Sequence, residues 1–167
     1  MRKLAAVAAL LALLLLGATI WGFAAARLEL KAEAVRALPE DEFLLRFARL
    51  KEQLAAGAVR GTVYDETPLG DAEDYVILEY TIQVGNRGFI PAQMLEAVVV
   101  PVRGDVLCFS QQEAQEQDVN SAITVENGRQ VMLRTYLLTR KSLHAVREIQ
   151  VSYYIWGNPF ILKVRYG

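Results

Sequence analysis

Residues 75–84 read YVILEYTIQV, and their alternation sets the fold class. Val76, Leu78, Tyr80, Ile82 and Val84 fall on one side, with Glu79, Thr81 and Gln83 on the other, the pattern of a half-buried antiparallel strand. Residues 85–88, GNRG, end it in a turn. Residues 95–102, LEAVVVPV, are a β-branched second strand in which Pro101 marks an edge, a bulge or a bend, and residues 106–109, VLCF, follow Gly104-Asp105 as a third. Residues 111–120, QQEAQEQDVN, have little to bury and read as a solvated loop or one short helical turn. Asn127-Gly128 then predicts a hairpin between residues 122–126 and 130–139.

The carboxyl end repeats the pattern. Ile149, Val151, Tyr153 and Ile155 alternate with Gln150, Ser152 and Tyr154, and Gly157-Asn158-Pro159 is the expected turn. Phe160, Leu162, Val164 and Tyr166 line the inward side of the last strand, while Lys163 and Arg165 point out and blunt an edge. About seven strands over residues 61–167 predict an antiparallel β-sandwich of immunoglobulin-like topology, with a small barrel as the alternative.

Upstream, residues 27–57 are rich in Ala, Leu, Glu, Lys and Arg and read as an amphipathic helical stalk broken near Leu38. Pro39 followed by Glu40-Asp41-Glu42 is a fresh helix start, with acids at the positive end of the dipole. Phe43, Phe47, Leu50 and Leu54 share one face, and Gly57 supplies a stop. That stripe is assigned as a helix-packing face against the following domain. Pairing with a second copy and lying along a membrane surface are its other readings.

Residues 1–26 open with Arg2-Lys3 and continue as the uncharged run LAAVAALLALLLLGATIWGFAAA. A helix of that length rises roughly 30 Å, enough to cross a hydrocarbon core. Trp21 and Phe23 sit where an interfacial aromatic belt lies. The run exceeds the apolar core of a signal peptide, which favours a permanent anchor, although Ala24-Ala25-Ala26 fits a cleavage site and leaves a secreted form open. Positive charges flank both ends, so orientation rests on context. A long trailing domain crosses regardless of its charge, which places the carboxyl-terminal domain extracytoplasmically at the cell membrane.

The formal net charge is −1, and of 18 basic residues all but Arg2 and Lys3 lie past the run, leaving 16 against 19 acidic residues. No basic face is present to attract nucleic acid. Cys108 is the sole cysteine and reads as a buried thiol. His144, the sole histidine, reads as a surface residue. The acids Asp65, Glu66, Asp71, Glu73 and Asp74 lack the spacing of a calcium loop and read as solvated. No catalytic, metal or cofactor motif is found, and no small-molecule substrate is inferred. Tyr154 and Trp156, placed on the outward side of one strand, form the candidate binding face.

The succession YVILEYTIQV, NRG, LEAVVVPV and EIQVSYYIWG resembles the immunoglobulin-like or fibronectin-like domains that bacterial envelope proteins carry behind an amino-terminal anchor. The resemblance covers residues 61–167 and implies architecture with adhesion or assembly roles. The paired cysteines and tryptophan of antibody domains are absent, so no site residue is carried over. The sequence therefore predicts a non-catalytic, membrane-anchored module that binds envelope proteins or itself. A pilin-like filament subunit is the alternative, though the processing-site glycine followed by an aromatic residue and an early glutamate is missing.

Overall fold

The computed structural model describes residues 2–25, 27–114 and 122–166. Helix α1 (Arg2–Ala25) leads into strand β1 (Leu28–Ala37), helix α2 (Glu40–Ala55) and the short strand β2 (Thr62–Val63). Strands β3 (Tyr75–Asn86), β4 (Gln93–Val99) and β5 (Asp105–Ser110) follow, then a helical turn α3 (Gln111–Ala114) and strands β6 (Gln130–Arg140), β7 (Arg147–Ile155) and β8 (Asn158–Tyr166). All strand pairs are antiparallel. They form one sheet in the order β1-β3-β6-β5-β2 and a second in the order β4-β7-β8. Two separate sheets with free edges replace the closed barrel that the sequence left open.

Both faces of the larger sheet carry buried side chains, and β3 shows how. Tyr80, Ile82 and Val84 point into a core shared with Leu95, Ala97 and Val99 of β4 and with Ile149, Val151, Tyr153 and Ile155 of β7. Tyr75 and Ile77, on the opposite face, pack beneath Phe47 and Leu50 of α2. Glu79 shares that opposite face and is buried, an outcome that alternation alone does not give. Its carboxylate accepts from Arg36 of β1 at 2.6 Å and lies 3.5 Å from Arg134 of β6.

Residues 28–37 correct the expectation of a helix over the first half of residues 27–57. They are a strand, paired with β3 from Leu28↔Asn86 to Ala37↔Leu78 with a bulge after Leu30. The residues are good helix formers, but Leu28, Leu30, Ala32 and Ala34 alternate with Glu29, Lys31 and Glu33, and period two prevails over propensity once β3 offers an unpaired edge. The second half is helical as expected. Pro39 precedes α2, and Gly57, at φ 62°, ends it. Gly57 N–H donates to Leu54 O (3.1 Å) and Ala58 N–H to Gln53 O (2.9 Å), the paired bonds of a Schellman stop.

Two turns also differ from the sequence reading. Residues 122–126 do not pair with β6. Instead Ala92 and Val125 exchange backbone bonds of 3.0 and 2.8 Å, and the Asn86 side-chain amide donates to Ile90 O and Val125 O. These long-range bonds draw the segment across to the start of β4. The β7–β8 turn is formed by Trp156 and Gly157, at φ 50° and 72°, with Ile155 opposite Asn158. Positive φ at both loop positions gives the tight two-residue hairpin whose twist suits the strands. Pro159 already belongs to edge strand β8, where proline is tolerated.

A buried ion pair joins the sheets. Arg147 of β7 forks onto Asp105 of β5 at 2.7–3.2 Å and donates further to Thr139 Oγ1 and Ala145 O. Asp105 also accepts from Val102 N–H at 2.8 Å. Burial opposes the charge on Arg147, yet the bonds to Asp105 win and raise its pKa.

Candidate functional site

Two surface features lie where function can be sought. The first is a groove of about 470 Å³ between α2 and the β5–α3 corner. Helix α2 presents Arg46 and Arg49 to it, Arg60 enters from the chain beyond Gly57, and Phe109 and Leu50 form the floor. Its two carboxylates are engaged. Glu42 holds Arg46 at 2.9 Å, and Glu113 accepts from Ser110 N–H at 2.6 Å while Ser110 Oγ accepts from Glu113 N–H at 3.2 Å. The Arg46 guanidinium also sits 5.0 Å above the Tyr136 ring. Among the described residues the lining carries no histidine, cysteine, serine or threonine, and what it offers is cationic and apolar contact. The groove joins residues far apart in sequence, and no local motif announces it.

Of the predicted helix-packing face, Leu50 alone is among the described residues that line this groove. Phe47 and Leu50 are buried and Phe43 and Leu54 partly so, all against the outer face of the larger sheet. Phe47 meets Tyr75 at 5.4 Å between ring centroids and Phe43 at 5.6 Å. The stripe is thereby covered by its own chain.

The second feature is the end of the domain at which α1 arrives. Tyr154 lies on the outward side of β7, 39 % exposed, while Trp156 sits in the turn beyond the strand, 58 % exposed. The two are close along the chain but occupy different settings. Tyr153, just before them on the inward side, stacks on Phe160 at 5.6 Å and accepts from Leu28 N–H at 3.3 Å. That bond fixes the start of β1 against the smaller sheet.

Among the other sequence candidates, His144 is exposed in the β6–β7 connection. No group of three His, Cys, Asp or Glu side chains among the described residues could hold a metal ion, so the acids of residues 65–74 do not converge. Asp65 instead accepts from Thr67, which lowers its pKa. Cys108 is buried, with Sγ 3.3 Å from Thr135 Oγ1, and burial pushes its thiol pKa up.

No family model matches the chain, and no curated protein matches it. Among solved structures it is similar to an ApaA-like protein of Bordetella pertussis, at 14% identity and a TM-score of 0.42 over 84% of this chain and 91% of that one. It is also similar to a FixG-related protein of Vibrio parahaemolyticus, at 16% identity and a TM-score of 0.38 over 81% and 94%. A third is the cupredoxin domain of amoB from Nitrosocaldus yellowstonii, at 12% identity and a TM-score of 0.36 over 83% and 84%. No residue role is carried over from any of them.

Proposed function

We propose that the chain is a single-pass, membrane-anchored binding or assembly module of the cell envelope, non-catalytic, with its folded domain on the extracytoplasmic side. The observation that carries this reading is α1. Over Lys3–Gly22 it is long and apolar enough to cross a membrane, and none of that stretch is buried. Leu4, Leu10, Leu13 and Leu15 are 60–78 % exposed. Leaving such side chains in water forfeits about 1.5–3 kcal/mol each, so the ten large ones between residues 4 and 21 outweigh the stability of a typical domain. A bilayer removes that cost.

The folded part is read as an immunoglobulin-like sandwich. Apart from the added two-residue strand β2, its sheet orders, β1-β3-β6-β5-β2 and β4-β7-β8, match the ABED and CFG sheets of that topology, and the shared core between them supports the assignment. The recognition surface is the groove beside α2, whose arginines and apolar floor suit an acidic segment of an envelope protein.

Fractionation of cells followed by an alkaline wash and sequencing of the mature amino terminus tests the anchor. An intact start in the washed membrane is the expected result. A chain beginning at Arg27 and released by the wash overturns it.

A further inference from the structure

Two non-glycine residues among those described have positive φ, Met94 at 55° and Trp156 at 50°. Neither type suits that region, which asparagine and glycine occupy at little cost. Both present their side chains outward, each 58 % exposed. They lie at the same end of the domain. Gln93, beside Met94, pairs with Tyr154, two residues before Trp156, and Met94 sits in the irregularity that separates Gln93 from Glu96. Phe89, in the connection from β3 into β4, is 64 % exposed at that end as well.

That end is also where α1 arrives. The Leu28 N–H bond to Tyr153 and the Leu28↔Asn86 pairing put the start of β1 beside the ends of β3 and β7. Trp21, in the last turn of the span-length stretch, meets Phe89 at 5.5 Å between ring centroids. Six residues from Gly22 to Leu28 reach at most about 20 Å, so this end cannot leave the neighbourhood of the membrane surface.

We infer that this rim of the domain seats in the headgroup layer of the bilayer, with Phe89, Met94 and Trp156 as its apolar contacts. The inference rests on the membrane-anchor reading above. Trp156, with an apolar ring and a polar N–H, favours that layer, Phe89 and Met94 add apolar area beside it, and Arg27, Arg87 and Arg129 border the same end, Arg87 in an ion pair with Glu29. Strain at Met94 and Trp156 is then the cost of aiming two large side chains at lipid. The anchor and the rim together fix the tilt of the domain, and with it the direction the α2 groove faces.

The test uses the full chain carrying Trp21→Phe, which leaves Trp156 as its one tryptophan. It is reconstituted in phosphatidylcholine and phosphatidylglycerol vesicles whose acyl chains are brominated near the glycerol. A companion chain carries Trp21→Phe, Trp156→Phe and Val146→Trp, placing the probe at the exposed Val146 that precedes β7 at the far end. The expected result is blue-shifted emission from Trp156 that the brominated lipid quenches, with the Val146→Trp chain unaffected. Unquenched emission from Trp156 in chains that stay with alkaline-washed vesicles overturns the rim contact and leaves the anchor standing. Equal quenching at both ends overturns it too, since the domain would then lie on lipid without a preferred face. Chains that wash free of the vesicles overturn both readings.

Discussion

At Trp156 the backbone holds a bulky side chain where the adjoining Gly157 would favour asparagine, the residue of the commonest tight hairpin turn. Trp156→Asn is therefore expected to stabilise the folded domain by about 1 kcal/mol, read as a higher urea midpoint for the full chain in detergent. An unchanged or lower midpoint would mean that tryptophan contacts repay the strain. Arg147 behaves in the opposite way. Arg147→Met leaves Asp105 buried without its cation and is expected to cost about 3–5 kcal/mol, whereas adding Asp105→Leu recovers much of the loss, because two apolar groups leave no charge stranded. Equal destabilisation by the single and double variants would count against this account. The exposure of Tyr154 is legible in the alternation of residues 148–156. The setting of Trp156 is not, because Gly157-Asn158-Pro159 is the stronger local turn signal and only the pairing of Ile155 with Asn158 moves the turn back.

Among the elements, α2 and β1 show what a sequence discloses and what it withholds. The stripe on α2 is legible because period 3.6 is local, and its partner surface, Tyr75 and Ile77, lies within the strand whose own alternation is plain. Phe47→Ala is expected to cost about 3–5 kcal/mol in urea titration, while Leu45→Ala, at a side chain 76 % exposed, stays within about 0.5 kcal/mol. Similar effects at the two positions would place the helix away from the sheet. β1 carries its period-two signal as openly, yet its alanines, glutamates and lysine favour helix, and nothing within those ten residues says that the edge of β3 awaits a partner. Residues 122–126 fail for the same reason. Asn127-Gly128 forms a turn, but the segment before it is claimed by Ala92 and Asn86 from across the domain. The groove at Arg46, Arg49 and Arg60 is illegible in the same sense, since it exists only after α2 has docked beside β5.

For the whole molecule, charge placement sets a stability plateau. Glu29 is held below the usual carboxylate range by its bond from Lys31, Asp65 by Thr67, and Glu148 by Gln150 and Lys163. The folded state thus gives up these protons more readily than the unfolded chain. Their contribution is complete above the unfolded value of about 4.3 and is lost as pH falls through the lower folded values. Burial raises Cys108, Tyr64, Tyr80 and Tyr136, so the unfolded chain ionises first on the alkaline side and stability falls once pH exceeds about 8.5–10. The urea midpoint should be flat between about pH 5 and 8 and decline on either side. A midpoint that kept rising below pH 4 would contradict the acid limb.

The place of β1 has a mechanical consequence. It enters the sheet at the end next to α1 and runs antiparallel to β3, while the chain leaves through β8, which starts at the Trp156 hairpin and runs away from it. Tension between the two termini therefore pulls β1 lengthwise along β3. Its hydrogen bonds are loaded together in shear, where a strand peeled from one end would lose them in turn. The strand that joins α1 to the domain is also an edge of its larger sheet, so a pull on α1 is resisted by the whole β1–β3 ladder at once.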